Sequence, residues 1–378
     1  PVLFRWTGRQ GFYLLAAAPA AGFVWLLTQL PHVFALQEAL DAGRPVPASA
    51  AHLDRSLPWV PSLDITLAFR MDALAAFMSL IVLGVGALVL AYCARYFREH
   101  EPRNAVFGGQ LLAFAGAMFG LVTTDDLMVL YTFWEVTSVL SFLLIGYSGH
   151  RIFARRSAIT ALIVTTVGGL AMLAGLIMLA HFAGSWRISG VLAAAPGLLA
   201  DDGGRVLLEV AVGLVLIGAL TKSAQAPFHF WLPGAMAAPT PVSAYLHAAA
   251  MVKAGVFLVA RLAPEFHGLA MWQVLVIGVG LWTLLLGGWR ALRQTDIKLV
   301  LAYGTVSQLG FLMVANGLGV RDAALAGLAM LLAHALFKAP LFMVVGIIDH
   351  EAGTRDLRQL SGIGRRHPAL ALSLIHIS

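Results

Sequence analysis

Cysteine and charge are both scarce in this 378-residue sequence. Cys93 is the only cysteine, which excludes an internal disulfide, a cysteine-ligated cluster and a Cys-x-x-Cys redox site. Charged residues make up 12% of the chain, whereas soluble domains carry roughly 25%. The sequence also lacks a glycine-rich nucleotide loop, an HExxH motif and Cys/His metal spacing. It therefore predicts no cofactor and argues against a self-contained enzyme.

Hydrophobic residues dominate instead. They form 60% of the chain, and the mean hydropathy is +0.84. The formal net charge of +6 does not indicate nucleic-acid binding, because the basic residues are spread over short loops without an aromatic-interleaved patch. This composition predicts an all-α polytopic membrane protein embedded in a lipid bilayer.

Apolar runs of about 20 residues are long enough to cross a bilayer. Residues 31–70, with five prolines, are predicted to be an ordered loop outside the membrane, and residues 182–204 a shorter Gly/Ala loop. An eleventh run begins near Ala369. The sequence predicts ten complete spans, at 11–30, 71–97, 105–122, 127–147, 158–181, 205–235, 242–261, 270–290, 297–318 and 322–348.

The basic residues of the loops predict an orientation. With ten spans, fifteen basic residues fall on one side, among them Arg5, Arg151 and Lys298, and seven fall on the other. The richer side is predicted to be cytoplasmic by the positive-inside rule.

Lysine is distributed differently from arginine. The chain has four lysines, and three of them, Lys222, Lys253 and Lys338, fall inside predicted spans. Arginine keeps its proton in proteins, whereas a desolvated lysine can release it. This sorting is typical of a proton path.

Glu135 lies near the middle of the span at 127–147. A carboxylate there costs at least about 2.5–3.5 kcal/mol unless it is paired or hydrated. The functional interpretation is a proton carrier, and the alternative is a neutral carboxyl hydrogen-bonded between helices.

Lys222 is followed by Pro227, which cannot donate a hydrogen bond to the carbonyl of Ser223. The helix is therefore predicted to break one turn after Lys222, and such breaks are tolerated where they line protein or a water-filled cavity. With Gln225 and His229 nearby, the segment is predicted to form a polar chamber. The alternative is a lysine that snorkels from the end of a span.

Two further spans carry paired candidates. Lys253 lies six residues after His247 in the run 243–260, and the histidine alone could be an ordinary core residue. His334 and Lys338 are four residues apart and hence share one helix face, although a structural pair would look the same. Asp72 and Glu209 at span ends are predicted to be solvated.

Three runs of the sequence resemble a known family. They are 221–242 (TKSAQAPFHFWLPGAMAAPTPV), 251–255 (MVKAG) and 334–341 (HALFKAPL). They are similar to the antiporter-like subunits of respiratory NADH:quinone oxidoreductase and of Mrp-type sodium/proton antiporters. With GIIDHEAGTRDL at 346–357, the sequence most resembles the antiporter-like N-terminal half of the A subunit of Mrp antiporters.

The resemblance implies a bundle of two inverted five-helix repeats, each with a discontinuous helix. The first broken helix would be the span 205–235, at Lys222 and Pro227. Residues 1–372 are interpreted as one antiporter-like domain truncated at both ends, and residues 373–378 as a candidate non-native tail. The family's first helix would precede Pro1, and its second broken helix would follow Ser378.

The resemblance also implies roles. Glu135 and Lys222 would form the family's Glu–Lys pair, His247 and Lys253 the central relay, and His334 and Lys338 the link to a second half-channel. His229 follows the broken helix. Protons would move by charge exchange, since a nearby carboxylate favours charged Lys222, whereas desolvation favours the neutral amine. The sodium site is not readable.

The predicted function is a proton-translocating subunit of a multisubunit sodium/proton antiporter in a bacterial inner membrane. Its partners would be other membrane subunits, protons and sodium, with no nucleic acid. The alternative is a proton-pumping membrane subunit of a respiratory or hydrogenase complex. A third possibility is a membrane scaffold with inactive polar sites.

Overall fold

The computed structural model describes residue 4 and residues 7–63, 65–99, 103–201 and 203–377. Arg5 and Ser378, which enter the predictions above, lie outside these ranges. The helices are α1 (Gly11–Asp41), α2 (Ala73–Tyr96), α3 (Asn104–Thr123), α4 (Leu127–Ile145), α5 (Ile152–Ala183), α6 (Ile188–Ala200), α7 (Arg205–Lys222), α8 (Lys253–Phe266), α9 (Ala270–Ala291), α10 (Ile297–Gly317), α11 (Arg321–Ala352) and α12 (Pro368–Ile377). Two strands, β1 (Asp54–Val60) and β2 (Ile65–Arg70), form an antiparallel hairpin.

Eight of these helices are long and apolar enough to cross a membrane, namely α1 to α5 and α9 to α11. The prediction of an all-α polytopic membrane protein is therefore confirmed. The total of ten spans and the inverted repeat stay predictions, because the two remaining segments are not continuous helices.

The predicted span at 205–235 is broken where the proline requires it. Helix α7 ends at Lys222, Ala224 takes a left-handed conformation with φ of 48°, and only short turns follow up to Ala237. The carbonyl of Ser223, left without a helical donor, instead accepts a hydrogen bond from the side-chain amide of Gln225 at 2.9 Å.

The predicted span at 242–261 is not one continuous helix. A π-helical turn, Ser243–His247, is followed by non-helical residues up to 252, and α8 begins at Lys253. The two interruptions are joined, because the Ser223 hydroxyl donates to the carbonyl of Val252 at 2.6 Å. A periodicity argument assumes a regular helix and therefore fails between His247 and Lys253.

Both predicted loops contain more structure than expected. Helix α1 continues to Asp41, so about the first quarter of the 31–70 segment is helical, and the rest holds the helical turn Ala48–Leu53 and the hairpin. The 182–204 segment contains α6. The loop prediction for these residues is wrong because Ala and Leu favour helix even where hydropathy is interrupted.

The hairpin lies against the end of α3 and the start of α4. Thr124 bridges Phe69 of β2, and Asp126 bridges Arg187, which precedes α6. Asp126 caps α4 by accepting hydrogen bonds from the amides of Met128 and Val129. These contacts gather the connections that the charge bias predicts to lie outside the cell.

Asp72 is not solvated, contrary to the prediction. Its side chain is 10% exposed and pairs with the Arg261 guanidinium of α8, which donates to Oδ1 at 2.9 Å and also bonds Oδ2. Burial alone would raise the pKa of the Asp72 carboxyl, but the charge and hydrogen bonds of Arg261 bring it below its ordinary value. Asp72 also caps α2 through the amide of Ala75.

Small residues let the central helices approach closely. A Cβ on Gly218 of α7 would lie 2.6 Å from the Cβ of Met172 on α5, and one on Gly255 of α8 would collide with the backbone of α7 at Ala219. The glycines thus bring α5, α7 and α8 together around Lys222. Such close backbone approach is the usual basis of helix packing in membranes.

Candidate functional site

Glu135 lies on the face of α4 that meets α5. Its Oε2 accepts a hydrogen bond from the Thr166 hydroxyl at 3.2 Å, while Oε1 is buried without a protein partner among the described residues. A Cβ at position 169 of α5 would collide with Oε1, so Gly169 makes room for the carboxylate. The carboxylate therefore has a built site with one oxygen left for another donor.

Lys222, at the end of α7, is fully buried and packs against the part of α4 that carries Glu135. Its Nζ donates to the carbonyl of Trp134 and to the Ser138 hydroxyl at 3.1 Å, and it lies 4.5 Å from the centroid of the Trp134 ring system. The lysine is thus bonded beside Glu135 rather than to it, since Trp134 directly precedes the glutamate in the chain and Ser138 lies three residues after it.

The broken segment after Lys222 is held by side chains. Trp231 donates its indole N–H to the carbonyl of Thr221 at 2.9 Å, and the Thr283 hydroxyl of α9 accepts from the amide of Ala226 at 2.9 Å. These bonds satisfy backbone groups that a membrane interior would otherwise leave unpaired.

His229 is placed differently from the other candidates. It lines a largely apolar groove of about 840 Å³ together with Pro227 and residues of α9 such as Trp282. Neither of its ring nitrogens has a protein partner among the described residues. His229 therefore lies at the rim of the bundle, whereas the candidate lysines and the other candidate histidines are buried in its interior.

His247 and Lys253 flank the second interruption, and both are fully buried. The His247 ring lies 6.1 Å from the ring system of Trp231, and neither of its ring nitrogens has a protein partner in the described chain. Lys253 donates to the carbonyl of Leu331 on α11 at 2.9 Å. Lys253 therefore connects α8 to the turn of α11 that precedes His334.

His334 and Lys338 are both buried within the bundle. They are 0% and 6% exposed, respectively. The Lys338 amine points at α10, where a Cβ on Gly304 would lie 3.3 Å from Nζ.

The contacts link these candidates in two groups. Lys222 of α7 bonds α4 beside Glu135, and Lys253 of α8 bonds α11 just before His334 and Lys338. Buried polar groups normally have hydrogen-bond partners, and water often supplies them. A row of buried amines and imidazoles can pass protons, because each group can exist with or without one more proton.

One buried lysine was missed by sequence reasoning. The assignment of Lys298 to a loop is wrong, whereas its cytoplasmic side stays a prediction. The residue is 2% exposed at the start of α10, and its Nζ donates to the carbonyl of Ala238 at 2.7 Å. Its sequence neighbour Asp296 made the segment look like a loop. The signal that could have found it is the lysine-for-arginine choice, since all four lysines are buried.

Across the ranges that the structure describes, no group of three or more His, Cys, Asp and Glu side chains could hold a metal ion.

Family models match most of the chain. Residues 124–377 match the model described as "NADH:quinone oxidoreductase/Mrp antiporter, TM". Residues 58–107 match the model described as "NADH-Ubiquinone oxidoreductase (complex I), chain 5 N-terminus".

Two curated relatives are antiporter subunits. The chain is 47% identical over 327 residues to a probable A/B subunit of a K(+)/H(+) antiporter of Rhizobium meliloti, covering 86% of this chain and 32% of the relative. It is 45% identical over 325 residues to the A subunit of a Na(+)/H(+) antiporter of Alkalihalophilus pseudofirmus, covering 82% and 40%. The chain thus spans less than half the length of these relatives.

Two solved structures share the fold. A chain of the Mrp complex from Dietzia sp. DQ12-45-1b superposes with a TM-score of 0.85 at 37% identity, covering 98% of this chain and 38% of that one. A chain of the archaeal membrane-bound sulfane sulfur reductase superposes with a TM-score of 0.77 at 23% identity, covering 96% and 74%. The second likeness concerns the fold alone.

Proposed function

We propose, because this chain belongs to the NADH:quinone oxidoreductase/Mrp antiporter family, that it is a proton-translocating part of a multisubunit antiporter. The antiporter would exchange protons for a monovalent cation, for which sodium is our candidate. The observation that carries the proposal is the row of buried amines, Lys222, Lys253 and Lys338, interleaved with His247 and His334 in a membrane bundle.

Protons would move along this row by charge exchange. While Glu135 is ionised beside Lys222, the ammonium form of the lysine is favoured; when the two separate, desolvation favours the neutral amine and the proton passes on. Lys253 would receive it beside His247 and pass it to the α11 pair through His334. The Lys253 bond to the carbonyl of Leu331 holds the amine at that junction.

The buried amines and imidazoles carry protons in this proposal and do not identify the cation that is exchanged for them. One relative is named for potassium and the other for sodium. The family model spans antiporters and respiratory enzymes alike, but the two relatives above are antiporter subunits, which favours transport without redox chemistry. We therefore rank the respiratory pumping subunit second.

The partners and location follow from the same proposal. The relatives are named as subunits, and one neighbour is a chain of a complex. We propose that this chain works with other membrane subunits in a bacterial inner membrane. His229, on the apolar groove at the bundle rim, would then meet a neighbouring helix or lipid.

The proposal is tested by Glu135→Gln in the complete protein with its partner subunits. Glutamine keeps the shape and the hydrogen bond to Thr166 but cannot carry the charge that Lys222 senses. We expect sodium-driven pH change in everted vesicles to fall about 100-fold, the scale of a lost proton-transfer group.

Assembly and cation choice serve as controls. Thr132→Val, at an exposed position of the same helix, should transport normally, since Thr132 contacts none of the site residues. Sodium and potassium are compared in the same vesicles. Exchange by Glu135→Gln at more than about half the wild-type rate is incompatible with a transfer role.

A further inference from the structure

One side-chain hydrogen bond lies between the two interrupted segments, directly beside two of the buried lysines. Helix α7 ends at Lys222, and Ser223 is the next residue; α8 begins at Lys253, and Val252 is the residue before it. The Ser223 hydroxyl donates to the carbonyl of Val252 at 2.6 Å. The Ser223–Val252 bond therefore joins the backbone beside one lysine to the backbone beside the other.

The Ser223–Val252 bond is enclosed by protein. Both residues are fully buried. A Cβ at position 255 of α8 would collide with the Ser223 hydroxyl and with the carbonyl oxygen of Ala219 on α7. Gly255 thus lets α8 approach α7 closely enough for the bond to form. A donor enclosed in this way is costly to leave unpaired, because no water replaces the lost partner.

The segment before α8 is held by irregular backbone bonds. The amide of Ala250 donates to the carbonyl of Tyr245, five residues back, and the amide of Val252 donates to that of Leu246, six residues back. An α-helix bonds four residues back, so these residues form wider turns that fix the chain less tightly. A bond from α7 to Val252 therefore has a large share in fixing where α8 begins.

Ser223 is itself fixed on the α7 side. Its amide donates to the carbonyl of Ala219 at 3.0 Å, and its carbonyl accepts from the side-chain amide of Gln225 at 2.9 Å. The amide of Ala226 donates to the Thr283 hydroxyl of α9. The backbone that presents the Ser223 hydroxyl cannot turn away without breaking these bonds.

The two lysine amines are held by different helices. Lys222 bonds the Ser138 hydroxyl of α4, and Lys253 bonds the carbonyl of Leu331 on α11. The amines thus belong to the two separate groups of candidates, whereas the backbones behind them meet at the Ser223–Val252 bond. A change in that bond would alter the separation of the two groups without touching either amine.

We propose that Ser223 is a positioning residue of the relay. Its bond to Val252 keeps the end of α7 and the start of α8 at one separation, so that a proton released on the Lys222 side has Lys253 within reach. The hydroxyl neither carries the proton nor contacts the exchanged cation. Positioning of this kind matters because a displacement of about 1 Å can slow a transfer step about 100-fold. This inference rests on the proposed function of the chain.

The first experiment compares Ser223→Ala with Ser243→Ala in the full-length protein with its partner subunits. Both serines are fully buried, but the Ser243 hydroxyl has no protein partner in the described chain. We expect Ser223→Ala to lower the maximal exchange rate per assembled complex about 10-fold, with an unchanged half-saturating sodium concentration. The Ser243→Ala variant should exchange at the wild-type rate.

A conservative variant guards against a failure to assemble. Ser223→Cys keeps a weak donor and should exchange at a rate between those of wild type and Ser223→Ala; it decides alone if the alanine variant does not assemble. A wild-type maximal rate in both variants would overturn the proposal. So would a loss that comes entirely from a higher half-saturating sodium concentration, since Ser223 would then act on cation binding.

The second experiment needs no transport. Deuterium uptake is measured by mass spectrometry on the purified complex for peptides that cover residues 246–256. We expect Ser223→Ala to speed uptake there about 10-fold, because the bond that fixes the segment is lost, and Ser243→Ala to leave it unchanged. Equal uptake in wild type and Ser223→Ala would show that the bond does not hold the segment, and would overturn the proposal.

The outcomes separate the two proposals. If wild type exchanges cations and Glu135→Gln does not, the proposed function stands whatever Ser223 does. A wild-type exchange rate or unchanged deuterium uptake in Ser223→Ala then overturns the positioning role alone. If wild type does not exchange cations, there is no relay to position, and both proposals fall.

Discussion

Breaking the buried ion pair between Asp72 and Arg261 should destabilise the protein strongly. The pair joins the start of α2 to α8, and its side chains are 10% and 17% exposed. Removing one partner of a buried pair costs about 3–5 kcal/mol, because the other charge is left uncompensated. For Asp72→Asn we expect about 3 kcal/mol, the lower end, since this pair lies at the end of the bundle.

Asparagine is the informative substitution because Asp72 has two roles. Its side chain also caps α2 through the amide of Ala75, and asparagine caps a helix about as well as aspartate. Asp72→Ala removes the cap too and should lose about 1 kcal/mol more. The double variant Asp72→Asn/Arg261→Gln should lose less than the sum of its single changes, with a coupling of about 1–3 kcal/mol.

The pH dependence has a defined sign. Because the pKa of Asp72 lies below its ordinary value of 3.8 in the folded protein, its stabilising contribution is complete above that value and is lost as the pH falls through the lower folded pKa. The difference between wild type and Asp72→Asn should therefore be constant between about pH 5 and pH 8 and shrink only in stronger acid.

The assay is thermal unfolding of the purified full-length protein in detergent. The control is Glu38→Gln, which breaks an ion pair with Arg44 whose side chains are 60% and 76% exposed. Exposed pairs contribute about 0–1 kcal/mol, so this variant should unfold at nearly the same temperature as the wild-type protein. The reasoning is refuted if Asp72→Asn also unfolds at the wild-type temperature. It is refuted as well if the destabilisation of the double variant equals the sum of its two single changes.

Two further predictions concern the relay and the orientation. The Lys253→Met variant should be expressed and should unfold at or above the wild-type temperature, since it replaces a buried charge by an apolar chain of similar length. Its transport should nevertheless fail. Normal transport in reconstituted vesicles would show that Lys253 is not on the proton path. Cysteines placed at Ser148 and Ser361 in a Cys93→Ala background should react with impermeant reagent only from the cytoplasmic side, and labelling from outside would show that the number of spans is off by one.

The sequence alone determined the class of the protein and most of the candidate row. Long apolar runs avoid water only in lipid or inside a helix bundle. A lysine within such a run is costly, so its presence indicates a function that uses its ionisable group. Pro227 located the break after Lys222, because a missing amide hydrogen is a local property that no tertiary contact can restore. The shared face of His334 and Lys338 followed equally from helical spacing.

The tertiary structure alone decided the burial of Lys298 and Asp72 and the interruption before Lys253. Lys298 and Asp72 stand beside other charges at the ends of apolar runs, and sequence spacing cannot show that Ala238 or Arg261, 60 and 189 residues away, supplies the partner. The π-helical turn that ends at His247 occurs in a segment whose apolar pattern is continuous. Local patterns record which groups avoid water, whereas the partner that satisfies each buried polar group is set by helices that meet only in the folded bundle.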